Sequence, residues 1–175
     1  MDNHLNILGF IGEKCEKIEN SVPKAHIALL MVCHGNICRS PMAEFVLKDM
    51  VKKAGLADQF EIASAATSTE EIGNPVHWGT RERLAREGIR TKGKTAVQLK
   101  KSDYNKYDYL IGMDERNIRN MLRMLGGDPD GKVFKLLSFT GSGRDVADPW
   151  YTGDFEATYE DVTAGCKALL DYLGY

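Results

Sequence analysis

A chain of 175 residues, 43% hydrophobic and 27% charged, is long enough to bury one core and needs no second domain. Its formal charge of -2 offers no broad basic field to nucleic acid, and no apolar run reaches the length that spans a bilayer. The four cysteines, Cys15, Cys33, Cys38 and Cys166, are too few and too scattered for a disulfide framework, so reduced thiols and a cytoplasmic protein are expected.

In chain order, residues 1–24 lack a basic start, and their apolar run from Leu5 to Ile11 is broken by Gly9. They read as an N-terminal extension that packs through Leu5, Leu8, Phe10 or Ile11, ahead of a domain over residues 25–175. Ala25 to Val32 is almost continuously apolar, as in a strand buried on both faces of a parallel sheet. After a short loop, Ser40 can cap a helix with Pro41 at its first position. Met42, Phe45, Val46 and Met50 then recur at helical spacing, with Gly55 as the stop. Further strands are expected at Phe60–Ala63, Tyr107–Met113 and Val133–Leu137, and helices at Pro75–Glu87, stopped by Gly88, and Asp114–Leu125. A mobile surface loop is expected at Thr140–Arg144. Phe155, Tyr159, Val162, Cys166, Leu169, Leu170 and Leu173 make the apolar stripe of a last helix. Such alternation predicts a single α/β domain on a parallel sheet, which binds ligands outside the carboxyl ends of its strands. The loop from Cys33 to Ser40 lies at such an end.

A cysteine at a strand end is commonly just a small buried hydrophobe. Here it is followed by His34, Gly35, Asn36, Ile37, Cys38, Arg39, Ser40 and Pro41, and the set as a whole carries chemistry. N–H groups at a helix start have no intrahelical partner, and the helix dipole favours negative charge there, so the loop can cradle an oxyanion such as phosphate, vanadate or sulfate. The same setting favours the nucleophilic thiolate of Cys33. Arg39 adds a planar fork that can hold two phosphoryl oxygens. Gly35 lets the backbone approach the ligand, Asn36 tolerates a left-handed conformation, and Ser40 can donate to the Cys33 sulfur. The Gly-Lys-Ser/Thr ending of a nucleotide P-loop is missing, and neither metal nor cofactor is expected.

The run Val32–Pro41 resembles the signature of the low-molecular-weight protein tyrosine phosphatases. Similarity continues in family order through Ser64–Ser68, Ile72–Pro75, Met113-Asp114, Asn117 and Asp148-Pro149. The resemblance implies a four-stranded parallel sheet flanked by helices on both faces, in the three-layer flavodoxin or Rossmann manner. It also implies hydrolysis of phosphotyrosine in proteins or peptides through a phosphocysteine on Cys33. Asp148 would be the general acid and base, Ser64 the support of Asn36, and Trp150 and Tyr151, with Ile37, an apolar wall for the substrate ring. A second Asp-Pro pair, Asp128-Pro129, reads as a surface turn, and core packing is the plain alternative for Trp150 and Tyr151.

Two positions depart from the family pattern. Glu70 stands where an aromatic residue usually flanks the pocket, beside Glu71, and Lys94 where a histidine is frequent. Arsenate reduction would need resolving thiols, but beyond the loop only Cys166 is available, inside the last helix. Phosphoarginine hydrolysis is associated with threonine at the position of Ile37, and a noncatalytic phosphotyrosine-binding module would be expected to lose Cys33 or Asp148.

Overall fold

The computed structural model describes residues 26–175, so Cys15 and the expected packing of the N-terminal extension lie outside the described residues. Four strands, β1 (Ile27–Cys33), β2 (Phe60–Ala66), β3 (Tyr109–Gly112) and β4 (Val133–Lys135), form one parallel sheet in the order β2-β1-β3-β4. The α/β fold expected from the alternation is the one observed.

Strand β1 is buried along its whole length because both of its faces are covered. Ile27, Leu29, Met31 and Cys33 face helix α1 (Arg39–Lys53) and the last helix, α6 (Phe155–Tyr172), through Met42, Val46, Leu47, Val162 and Leu169. Ala28, Leu30 and Val32 face the opposite layer, built from Leu99, Tyr104, Tyr107 and the Met121 and Leu125 side chains of helix α4 (Glu115–Leu125). Period-two alternation thus divides one apolar run between two cores.

The topology also locates the site. From β1 the chain crosses to β2 on one side and then returns to β3 on the other, pairing Leu29 with Tyr109 and Val32 with Gly112. The carboxyl ends of β1 and β3 therefore part at a switch point, where loops from both strands border one crevice.

Several boundaries differ from the sequence expectation. Helix α1 begins at Arg39 with Cys38 in the cap position and no side-chain cap bond, because the Ser40 hydroxyl is turned inward toward Cys33 and Asn36. Helix α2 covers only Trp78–Ala85: Pro75 is held in an extended bridge with Thr95, and His77 caps the helix by accepting the Gly79 N–H at 3.1 Å. The fourth strand stops at Lys135 and turns into a 3-10 helix, Leu136–Thr140. Two four-residue helices had no strong sequence signal, α3 (Asp103–Lys106) and α5 (Pro149–Thr152). The Thr140–Arg144 loop is tied down at its end, where the Arg144 guanidinium holds both Asp161 oxygens at 2.6 and 2.9 Å.

Helix α6 approaches the 3-10 turn closely enough to need a glycine. A Cβ on Gly165 would lie 2.5 Å from Leu136 Cγ. Gly165→Ala gains at most about 1 kcal/mol of helix propensity, whereas overpacking a well-filled core costs about 1–3 kcal/mol. The variant should have a lower urea midpoint than the parent; an equal or higher midpoint would show that the contact yields without cost.

Candidate active site

The loop after β1 turns at Asn36, the one non-glycine residue with positive φ (58°) among the described residues. Its side chain is 1% exposed and fully partnered: Nδ2 donates to Ser40 Oγ at 2.8 Å and to Ser64 Oγ at 2.9 Å, while Oδ1 accepts the Val97 N–H at 3.1 Å. A buried amide satisfied on every side fixes the turn. Four loop carbonyls are engaged as well, by Thr67 N on Cys33 O, Ser68 N on His34 O, His77 N on Ile37 O and Thr80 Oγ1 on Cys38 O. Of the loop N–H groups, that of Asn36 is directed at the Cys33 sulfur in the cleft. Cys33 Sγ accepts it at 3.3 Å and lies 3.1 Å from Ser40 Oγ.

Behind the loop, Ser64 Oγ donates to Glu44, a buried carboxylate on α1 that also binds Lys48 Nζ at 2.6 Å. Lys94 approaches Glu44 at 3.8 Å and donates to Ser64 O at 3.0 Å. Burial pulls the Lys94 ammonium below its ordinary value, although Glu44 works against that. The lysine that departs from the family pattern thus closes a buried network ending on Asn36. Glu44 carried no sequence signal, since it reads as any helix carboxylate.

Arg39 is 3% exposed, and each of its terminal nitrogens meets a carboxylate. Nη1 donates to Asp114 Oδ2 at 2.6 Å, and Nη2 lies 3.0 Å from Asp148 Oδ2. Burial would lower the guanidinium's affinity for its proton, but the Cys33 sulfur and the two aspartates outweigh it and raise it. Burial likewise pushes the Asp114 carboxyl up, yet the hydrogen bonds from Arg39 and the Asn117 N–H hold it below the ordinary carboxylate range. Asp114 also caps α4 in a reciprocal box with Asn117, which fixes the carboxylate that orients Arg39.

Asp148 caps α5 by accepting the Trp150 N–H at 3.1 Å. Its loop is pinned by Val146 N to Met113 O, Ala147 N to Asp161 and Thr158 Oγ1 to Ala147 O. Asp128 is elsewhere, accepting from the Tyr104 hydroxyl and the Lys132 and Val133 N–H groups in the turn before β4.

These residues line a cleft of about 340 Å³. Cys33, Arg39 and Asp148 lie inside; His34, Gly35, Ile37, Cys38, Glu70, Glu71, Trp150 and Tyr151 surround them, with Arg116 and Asn117 from α4. Ser40, Asn36 and Ser64 support the loop from behind. Trp150 and Tyr151 are 61% and 79% exposed, so core packing does not describe them. Glu70 is 3.1 Å from His34 Nε2, and Glu71 accepts from Asn74. Cys166 is buried with its sulfur toward Ala43 O.

A parallel α/β domain whose first strand runs through a tightly braced loop into a helix start belongs to the folds that place a ligand crevice at the carboxyl ends of their strands. Residues 28–174 match the model of the low molecular weight phosphotyrosine protein phosphatases, and the chain belongs to that family as an enzyme of the protein-tyrosine-phosphatase type. It is 42% identical over 146 residues to the low molecular weight protein-tyrosine-phosphatase YfkJ of Bacillus subtilis, covering 82% of this chain and 94% of that protein. With the crystal structure of YfkJ the TM-score is 0.82, covering 85% of this chain and 95% of the other. PtpA of Staphylococcus epidermidis is 36% identical over 149 residues, covering 85% and 93%. The structure of DARP, a Drosophila arginine phosphatase, superposes with a TM-score of 0.75 at 27% identity, covering 82% and 96%.

Burial, and for Cys38 also the neighbouring Cys33, pushes the Cys38 and Cys166 thiols up to about 12. Both are protonated and unreactive at neutral pH. Iodoacetamide at pH 7 should therefore modify Cys33 well before either. Peptide mapping in which Cys38 or Cys166 is alkylated first would contradict this ordering.

Proposed function

We propose that the protein hydrolyses phosphotyrosine in proteins or peptides through a phosphocysteine on Cys33. The observation that carries this reading is the convergence of Cys33 Sγ with the Asn36 N–H on it, the Arg39 fork and the Asp148 carboxylate in one cleft. In the reading, the phosphoryl oxygens lie on the loop N–H groups and Arg39, whose orientation is kept by Asp114. Nη2 moves from Asp148 to the phosphoryl group, which releases the Asp148 oxygen toward the leaving group. The Cys33 sulfur attacks phosphorus, the bond from phosphorus to the tyrosyl oxygen breaks, and protonated Asp148 gives that oxygen its proton. Water then attacks phosphorus and passes its proton to Asp148, the bond to sulfur breaks, and inorganic phosphate leaves.

Hydrogen bonds to the developing charge strengthen during transfer, which is why a preformed cradle accelerates the reaction more than it tightens binding. Trp150, Tyr151 and Ile37 would flank the phenyl ring. A shorter phosphoserine would leave its phosphate away from the loop floor. The unpaired thiols Cys33, Cys38 and Cys166 favour a reducing cytoplasmic setting.

Asp148→Ala should lose about 10² to 10⁴ in rate with phosphotyrosine, as expected for general acid catalysis. It should lose much less with an activated aryl phosphate that departs unprotonated. Cys33→Ser should abolish turnover while still binding phosphate, and Arg39→Lys should lose most activity because one ammonium cannot replace the fork. Steady-state rates on p-nitrophenyl phosphate, phosphotyrosine, phosphoserine and phosphoarginine check the assignment. Faster turnover of phosphoarginine, or equal losses with both leaving groups in Asp148→Ala, would contradict it.

Glu70 and Glu71 bring negative charge to the mouth, so at low salt peptides with Lys or Arg beside phosphotyrosine should be preferred over acidic ones. Glu70→Tyr should lower KM for phosphotyrosine and narrow that preference. An unchanged peptide ranking would remove Glu70 from the account of specificity.

A further inference from the structure

Trp78 is 63% exposed at the first position of α2, although a tryptophan is among the residues with most to gain from burial. It is not isolated. The Trp150 ring, on the cleft wall, makes a T-shaped contact with His77 at 6.2 Å between centroids. His77 stacks on Phe155 at 5.2 Å and 14° and lies 5.5 Å from Trp78, which is 6.2 Å from Phe155. A continuous aromatic ridge therefore leads from the catalytic cleft to a second cleft of about 390 Å³ beneath Trp78.

The ridge is built onto the phosphate loop. Phe155 packs against Ile37 and Cys38, the His77 N–H donates to Ile37 O at 2.8 Å, and Thr80 Oγ1 donates to Cys38 O. Gly79 makes room for it, since a Cβ there would lie 2.3 Å from the Phe155 ring. In the second cleft Arg83 pairs with Glu156, and with Glu87 outside it, Arg86 pairs with Glu82, and Asp154 accepts the Ala157 N–H. This cleft offers a partner the exposed face of Trp78 and the half-buried ring of Phe155 beside those paired charges. Single exposed apolar residues are ordinary, but a contiguous patch joined to a binding site marks an interaction surface.

We propose that the ridge is a second substrate subsite, which receives an aromatic or large aliphatic side chain of the same polypeptide whose phosphotyrosine occupies the cleft. This rests on the proposed phosphotyrosine hydrolysis. The occupant follows from continuity: the ridge begins on the wall that flanks the substrate ring, so the polypeptide leaving the cleft over Trp150 is the chain placed to cover it. The two centroid steps put Trp78 within about 12 Å of Trp150, which an extended chain crosses in about three to four residues at about 3.3 Å each. An apolar side chain three or four positions from phosphotyrosine, on one side of it, meets Trp78.

The test is kcat/KM of the full chain on phosphotyrosine peptides in which one leucine or phenylalanine is moved through the four positions on each side, with p-nitrophenyl phosphate as the small substrate. The parent should prefer an apolar residue at the third or fourth position by about tenfold, the size of one well-buried apolar side chain. Trp78→Ala should abolish that preference through KM while leaving the small substrate unaffected, and Trp78→Phe should restore most of it. A parent that ignores position, or a preference that survives Trp78→Ala, overturns the subsite while leaving phosphotyrosine hydrolysis intact. A flat profile with concentration-dependent self-association lost in Trp78→Ala would assign the ridge to a second copy instead. A parent that hydrolyses no phosphotyrosine peptide overturns both readings.

Discussion

A short loop can aim several N–H groups at one point only if its carbonyls are satisfied elsewhere and one residue leaves the right-handed region. Asn36 meets the second condition at φ 58°, where most side chains are strained, and its buried amide supports the turn through Ser40, Ser64 and Val97. The rest of the site follows from that turn. Ser40 leaves the capping role its position suggests because its hydroxyl lies between Asn36 and the Cys33 sulfur. Ser64 in turn needs a partner, and Glu44 supplies it, with its own buried charge offset by Lys48 and Lys94.

The second constraint is electrostatic. A guanidinium buried as deeply as Arg39 has to be paired, and the switch point between β1 and β3 delivers the two carboxylates from different parts of the chain. Asp114 arrives as the cap of α4, Asp148 as the cap of α5. Each spends one oxygen on a backbone N–H and the other on Arg39, so both are oriented before any ligand arrives. The anchoring of residues 146–148 to α6 through Asp161 and Thr158 keeps Asp148 in register with the loop.

Much of this was legible in the sequence. An apolar run ending in Cys33, five intervening residues and Arg39 at a helix start describe the loop, and strand-helix alternation describes the parallel sheet. Period and capping signals were weaker guides to boundaries: Pro75 looked like a helix start but sits in a bridge, and Val133–Leu137 looked extended but turns into a 3-10 helix against Gly165. The contact of Arg39 with Asp114 spans 75 residues and exists only because β3 lies beside β1, an ordering that local pattern does not encode. Asp148 could be told from Asp128 by family resemblance, not by spacing, since both precede proline. Glu44 and Trp78 gave no signal, because their significance lies in what other segments bring beside them.

The central claim is that Cys33 takes the phosphoryl group. Acid quenching during turnover of phosphotyrosine, followed by mass spectrometry of the proteolysed protein, reads this directly. The account predicts a phosphorylated peptide with the modification on Cys33, accumulating in Asp148→Asn with an activated aryl phosphate and absent from Cys33→Ser. Phosphate found on another residue, or phosphate release that persists in Cys33→Ser, would contradict it.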